Sequence, residues 1–136
     1  MKSKLFRTFV IFGFFYLASC SDEIVSECET GDKQLEVKFS VVQSEVFDKH
    51  CAGCHGSSFP QGGLELTAGK AYDNLVGVNA KKDPEFKLVD PGNSLQSYLF
   101  KTLTNDGAPL MPTTGALSEE KIDLVKQWID SGAENN

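Results

Sequence analysis

The segment Cys51-Ala52-Gly53-Cys54-His55 constrains the fold of this chain more than any other feature. Cysteines three residues apart lie on the same face of a helix, so both thiols can bond to one prosthetic group. The histidine that directly follows the second cysteine can ligate a metal ion from that same side. The two residues between the cysteines are small, which lets a bulky planar group approach the backbone. We therefore expect the fold to be built around this segment.

The spacing Cys-x-x-Cys-His is the attachment signature of c-type haem, in which two thioether bonds hold the porphyrin. Cys51 and Cys54 are therefore the predicted attachment residues for one covalent haem c, and His55 is the predicted proximal ligand of its iron. There are three other interpretations, and one of them is that the motif occurs by chance in an exported chain. A thioredoxin-like dithiol requires a βαβ context, which the sequence lacks, and a zinc site requires a fourth ligand beside these three. The haem interpretation is favoured.

The second axial ligand is predicted by elimination. After the N-terminal segment the chain has one methionine, Met111, and one histidine besides His55, namely His50. His50 directly precedes Cys51, so it is held on the proximal side of the ring. Met111 lies in an irregular loop stiffened by two prolines, and we predict that it is the distal ligand. A lysine, a water molecule or an open coordination site is the alternative.

Residues 1–19 have the pattern of an export signal. Three basic residues precede an apolar run from Phe9 to Ala18, which is shorter than the about 20 residues that cross a bilayer but fits a secretory signal. The run ends in Leu17-Ala18-Ser19-Cys20, which resembles the lipobox of bacterial lipoproteins, so Cys20 is the predicted lipidation site. An ordinary cleavage site and an uncleaved membrane anchor are the alternatives. We expect an exported protein, anchored to a membrane in the periplasm or at the cell surface. Export also favours haem, because c-type haem is attached outside the cytoplasm.

The net charge of the chain after residue 19 indicates which kinds of molecule the protein can bind. All 19 acidic residues but only ten of the 13 basic ones lie after residue 19, so that part has a formal net charge of −9. Nucleic-acid binding requires a basic surface and is therefore excluded. The acidity favours a redox protein with a basic docking patch, although it also serves solubility. Residues 20–40 are polar and acidic, and we interpret them as a tether in which Cys28 is a free thiol.

Residues 41–136 are predicted to form a small all-α domain with long loops. Within the tether, Leu35, Val37 and Phe39 alternate like a short strand. The predicted helices are Val41–Cys54, Ala68–Leu75 with Thr67 as its N-cap, Leu95–Leu103, and a last helix between Ser118 and Gly132. The apolar stripe of the third helix comprises Leu95, Tyr98, Leu99 and Leu103. The last helix is expected to bury Ile122, Val125, Trp128 and Ile129.

These residues resemble class I cytochromes c, and more closely the planctomycete-type cytochrome c domains. The similarity spans about Val41 to Glu134. It rests on Cys51–Gly56, Gly62–Leu66, Val89–Asn93, Ser97–Leu99, Met111-Pro112, Leu117–Ile122 and Trp128–Ala133. The resemblance implies a small cytochrome c fold, with three to five helices around one covalently attached haem. It also implies His/Met ligation and electron transfer.

The resemblance carries finer expectations as well. In such folds the first and last helices cross near the haem edge, which would bring Val46 and Phe47 near Trp128 and Ile129. A proline carbonyl after the haem motif often accepts a hydrogen bond from the proximal imidazole, and Pro60 is the candidate. Arginine often pairs with the haem propionates, but the chain after residue 19 has no arginine. Lysine, tyrosine, tryptophan, serine or backbone groups must therefore take that role.

We predict a monohaem carrier that passes single electrons between protein partners outside the cytoplasm. No residue stands in a pattern typical of a catalytic acid, base or nucleophile, and no small-molecule substrate is evident. The chain is therefore not predicted to be an enzyme in its own right. A haem-based gas sensor is an alternative, as is an electron-accepting subunit of an exported dehydrogenase or carbohydrate-active complex.

Overall fold

The computed structural model describes residues 35–136, so the predicted export signal, the lipidation site Cys20 and the thiol of Cys28 lie outside the described residues. Within them the chain forms four helices and two short 3₁₀ turns. Helix α1 begins as an α-helix over Phe39–Val42 and continues as a π-helical segment over Gln43–Cys51. Helix α2 spans Ala71–Leu75, α3 spans Tyr98–Thr104 and α4 spans Glu119–Asp130, with 3₁₀ turns at Gln61–Gly63 and Ser94–Gln96.

The described part is all-α, as predicted. Residues 35–136 contain three isolated β-bridges and no strand. In this part of the chain no helix is both long and apolar enough to cross a membrane.

The first helix begins and ends earlier than the predicted Val41–Cys54. It begins at Phe39, which packs against Trp128 with a ring-centroid distance of 5.3 Å. The backbone N–H of Phe39 donates to Asn136 Oδ1 at 2.8 Å, which satisfies a donor that the first turn leaves unpaired. The predicted strand at this point is therefore wrong. The helix ends at Cys51, where a wide turn closes with a bond from Ala52 N–H to the Phe47 carbonyl at 2.8 Å.

The second helix begins at Ala71 rather than Ala68, and the predicted capping role of the Thr67 side chain is wrong. The Thr67 hydroxyl donates to Glu65 Oε1 at 2.7 Å instead of accepting from the helix. The Thr67 carbonyl accepts from the N–H groups of Lys70 and Ala71, each at 3.0 Å. The backbone thus makes a separate turn before α2 begins.

The third helix begins at Tyr98 rather than Leu95 because residues 94–96 form a 3₁₀ turn. The Asn93 side chain caps this turn by accepting from Gln96 N–H at 3.3 Å. Leu95 is 61% exposed, so it is not part of the apolar stripe. Leu99 and Leu103 are buried as predicted.

Helix α4 supplies much of the core. Two glutamates occupy its first turn, where the helix dipole favours acidic side chains. Ser118 stands at the N-cap, but its side chain makes no capping hydrogen bond. The buried residues of α4 are Leu124, Val125, Trp128 and Ile129, whereas Ile122 is only partly buried. Val46 and Phe47 belong to the same buried cluster as Trp128 and Ile129, so the first and last helices share one core.

A short hairpin connects α2 to α3 and forms one side of the site described below. Ala80 N–H donates to the Phe86 carbonyl at 2.9 Å, and Leu88 N–H donates to the Val78 carbonyl at 2.7 Å. Leu99 N–H in turn donates to the Leu88 carbonyl at 2.9 Å, which ties the hairpin to α3. The residues at the hairpin tip are therefore held in place by backbone hydrogen bonds at its base.

Candidate haem-binding site

One cavity of about 480 Å³ brings together all four residues predicted to hold the haem, Cys51, Cys54, His55 and Met111. Its volume lies in the range of cofactor sites, roughly 300–1,000 Å³. The lining comes from the end of α1, the loop after it, α2, the hairpin, α3 and the loop around Met111. Most of the wall is apolar and includes Leu64, Leu66, Leu75, Val78, Leu88, Leu99, Leu103, Pro109 and Pro112.

The two cysteines are presented by the end of α1 and the turn that follows. The N–H groups of Cys54 and His55 both donate to the Cys51 carbonyl, at 3.0 and 2.8 Å. This tight turn requires a glycine after the histidine, because a Cβ at Gly56 would lie 2.7 Å from the Ala52 carbonyl oxygen. The local geometry therefore explains the glycine at position 56, whereas a Cβ at Gly53 would meet no atom within 4 Å.

The pKa of Cys51 and the side chains near it bear on the two rival interpretations of the motif, a redox-active dithiol and a zinc site. Burial, and to a lesser extent the neighbouring Cys54, raises the pKa of Cys51 to about 11. A redox-active dithiol depends on an easily ionised thiol. The two cysteines are not joined in a disulfide. No group of three His, Cys, Asp or Glu side chains within residues 35–136 is placed to hold a metal ion. The geometry disfavours both rival interpretations.

The imidazole of His55, the predicted proximal ligand, is oriented by a backbone carbonyl. His55 Nδ1 lies 3.0 Å from the Leu64 carbonyl oxygen, which leaves Nε2 as the nitrogen available to iron. The prediction that Pro60 supplies this acceptor is wrong. The Pro60 carbonyl accepts from Gly63 N–H at 2.9 Å, within the 3₁₀ turn. A second bond, from Leu66 N–H to the His55 carbonyl at 2.8 Å, holds the loop against the motif.

Met111 reaches the cavity from a loop that is tied to α3. Its backbone N–H donates to the Thr102 carbonyl at 2.9 Å. Thr102 is buried, and its own hydroxyl donates to the Leu99 carbonyl at 2.7 Å. The irregular loop is thus fixed to a packed helix next to the methionine. The lining places Met111 and His55 in one cavity, and ligation of iron by Met111 stays a prediction.

His50, the other histidine of the described part, also lines the cavity. Its Nε2 atom lies 2.7 Å from Lys121 Nζ on α4, so this ring nitrogen already has a hydrogen-bond partner. It is exposed and directly precedes Cys51. These contacts agree with its exclusion as the distal ligand.

The donor set fits a covalently bound haem. Two thiols can form thioethers, one imidazole nitrogen is held while the other is available, and a methionine thioether lines the same mostly apolar space. Sequence reasoning missed the Leu64 carbonyl, because no residue type marks a backbone acceptor. It also missed the two lysines at the hairpin tip, Lys81 and Lys82, which line the cavity.

Comparison with known proteins gave one match. The model of the family described as "Cytochrome C oxidase, cbb3-type, subunit III" matches residues 43–129. This range contains every cavity residue to which the sequence assigned a role in binding haem. No curated protein and no solved structure gave a significant match.

Proposed function

The chain belongs to the family described as cytochrome c oxidase, cbb3-type, subunit III, and we propose that it carries single electrons between redox proteins. The cofactor is one haem c, bound covalently. The observation that carries the proposal is that Cys51, Cys54, His55 and Met111 line one cavity. If His55 and Met111 both ligated the iron, no coordination site would be left for a substrate. We accordingly propose that the chain is not an enzyme in its own right.

The haem supplies the change of redox state when it is bound, and the protein residues set the conditions for that change. The Leu64 carbonyl holds His55 Nδ1, which fixes the tautomer and the orientation of the ring. As a ligand, the thioether sulfur of Met111 would favour ferrous iron and raise the potential relative to a second histidine. The apolar wall lowers the local dielectric constant and limits access of water.

Carbon monoxide distinguishes this function from gas binding. A carrier whose iron has two protein ligands gives a reversible one-electron titration, and its reduced form changes little on addition of carbon monoxide at neutral pH. A rapid and complete spectral change on that addition would contradict the proposal. The measurement uses the purified holoprotein from a host that attaches c-type haem.

The location outside the cytoplasm and the lipid anchor are part of the proposal. They are supported by the apolar run from Phe9 to Ala18 and by the segment Leu17–Cys20. Diacylated attachment at Cys20 would hold the protein at a membrane, since two or more acyl chains give lasting anchoring. When the holoprotein is partitioned between a detergent phase and an aqueous phase, the wild type should enter the detergent phase and Cys20→Ser the aqueous phase. Retention of that variant in the detergent phase would contradict lipidation at this residue.

We also propose that the domain is of the planctomycete type. The support is the closing segment Trp128–Ala133 together with the Val89–Asn93 turn. In the structure Gly92 N–H donates to the Ile129 carbonyl at 2.8 Å, so these two segments contact each other. A comparison of this contact with experimental structures of both cytochrome types tests the assignment.

A further inference from the structure

A haem in this cavity brings two propionate carboxylates, and the chain after residue 19 contains no arginine that could pair with them. A carboxylate beside an apolar wall needs a cation or several hydrogen-bond donors, because leaving it unpaired is costly. The indole of Trp128 is excluded as such a donor, since its Nε1 already donates to the Glu134 carbonyl at 2.9 Å. The phenol of Tyr72 is likewise engaged with the Ala133 carbonyl at 3.0 Å. Tyr98 lines the cavity, but a neutral phenol donates one hydrogen bond and supplies no positive charge.

Three lysines are among the described residues that line the cavity, and one of them is already paired. Lys49 Nζ lies 2.6 Å from Glu45 Oε2. Lys49 also precedes Cys51 by two residues, at the edge of the cavity where the thioether bonds form. The propionates of a haem lie on the pyrrole rings that do not carry the thioethers. The two other lysines, Lys81 and Lys82, are therefore the better candidates.

Lys81 and Lys82 form the exposed tip of the hairpin between α2 and α3. Ala80, directly before them, is 1% exposed and bonded through its backbone, so the tip has a fixed base. Lys81 Nζ donates to the Gly62 carbonyl at 3.1 Å, on the loop that follows the haem motif. Gly63 leaves space for this ammonium group, since a Cβ at that position would lie 2.7 Å from it. Among residues 35–136, no carboxylate forms an ion pair with either lysine.

We propose that Lys81 and Lys82 neutralise the two haem propionates and keep them ionised. Two lysines of the described lining have no carboxylate partner, and the haem brings two carboxylates to be paired. The single acidic residue of that lining, Asp73, lies on α2 and not on the hairpin. The inference depends on the covalent haem, and it depends neither on the role as an electron carrier nor on Met111 as the distal ligand.

The test is the midpoint potential of the holoprotein as a function of pH, between about pH 5 and pH 8. In the wild type, paired propionates stay ionised and the potential is nearly constant. In the double variant K81Q/K82Q the unpaired negative charge stabilises ferric iron, and a propionate takes up a proton on reduction. When K81Q/K82Q is held at the midpoint potential of the wild type at the highest pH, its ratio of ferric to ferrous haem should be about tenfold higher than in the wild type. This ratio corresponds to a midpoint potential about 59 mV lower. The potential should also become dependent on pH.

Two further variants complete the experiment. Lys70→Gln removes one positive charge, as each of the single variants K81Q and K82Q does, but from an exposed lysine outside the cavity lining. Its potential should stay close to the wild type and independent of pH. K81R/K82R keeps both charges and should restore the wild-type behaviour. If circular dichroism shows that K81Q/K82Q is unfolded, the single variants K81Q and K82Q replace it. Each should raise the ratio of ferric to ferrous haem about threefold.

A potential in K81Q/K82Q that matches Lys70→Gln at every pH would overturn the inference while leaving the proposed function intact. A wild-type protein without covalent haem would overturn both.

Discussion

His55 Nδ1 lies 3.0 Å from the carbonyl oxygen of Leu64, nine residues further along the chain. This contact links the haem motif to the loop that follows it. The backbone of Gly62 and Gly63 has positive φ angles of 64° and 69°, and this turn brings the Leu64 carbonyl next to the His55 ring. A carbonyl partner at Nδ1 makes the imidazole a better ligand and fixes its plane. The orientation of His55, the predicted proximal ligand, is thus a property of backbone geometry.

Replacing Met111 tests the distal side of the site. Met111→Ala should abolish the methionine-to-iron charge-transfer band of the oxidised protein and lower the potential, because the thioether stabilises ferrous iron. The reduced variant should also bind carbon monoxide rapidly. Leu110→Ala, at the neighbouring position outside the cavity lining, is the matched control and should keep the band. An unchanged band in Met111→Ala would show that another group is the distal ligand.

Two phenylalanines with opposite exposure test the assignment of the core. Phe47 is completely buried beside the haem motif, whereas Phe59 is 93% exposed in the following loop. Phe47→Ala should lower the free energy of unfolding by about 3–5 kcal/mol through lost burial and a cavity. Phe59→Ala should change it by less than about 0.5 kcal/mol. Denaturant titration of the two holoprotein variants checks this, and equal losses would contradict the described core.

Sequence reasoning predicted those features that follow from short-range patterns. Helix α4 was placed correctly because its apolar residues recur at helical spacing and two glutamates open it. Cys51, Cys54, His55 and Met111 were selected by residue type and spacing, and the structure brings them to one cavity. The roles of Cys51 and Cys54 as attachment residues and of His55 and Met111 as axial ligands stay predictions.

The features that sequence reasoning missed depend on tertiary contacts. The early start of α1 results from burial of Phe39 and from a bond to Asn136, 97 residues away. The proximal acceptor is the Leu64 carbonyl and not Pro60, because the Pro60 carbonyl is used by the 3₁₀ turn. Lys81 resembles any surface lysine in the sequence, and only the folded hairpin places it at the cavity.

The bond between Phe39 and Asn136 can be tested by itself. Asn136 Oδ1 accepts from Phe39 N–H at 2.8 Å and so caps the first turn of α1. Asn136→Ala should lower the free energy of unfolding by about 1 kcal/mol, the usual cost of a lost helix cap. Asn135→Ala is the matched control, since its exposed side chain makes no capping contact, and it should be neutral. Equal stability of the two variants would show that the cap contributes nothing.

Asp130 makes part of the stability dependent on pH. Desolvation acts to raise the pKa of its carboxyl, but hydrogen bonds from Lys126 and from Ser94 N–H outweigh it and lower that pKa below the ordinary value. The folded state therefore favours the ionised form, so the stabilisation is present above the ordinary pKa and is lost as the pH falls through the folded-state pKa.

The corresponding experiment compares unfolding free energies between about pH 6 and pH 3. The wild type should lose stability more steeply on acidification than Asp130→Asn, which has no carboxyl to protonate. Lys126→Gln removes one of the two hydrogen-bond partners of Asp130. Its unfolding free energy should fall with decreasing pH at a rate between those of the wild type and Asp130→Asn. Parallel curves for the wild type and Asp130→Asn would contradict the linkage.

The most direct test of the central claim is the mass and absorbance of fully denatured protein, purified from a host that attaches c-type haem. We predict that one haem stays bound through Cys51 and Cys54 after denaturation and extraction, and that neither thiol reacts with an alkylating reagent. Loss of the chromophore on extraction, with both thiols free to react, would contradict the account.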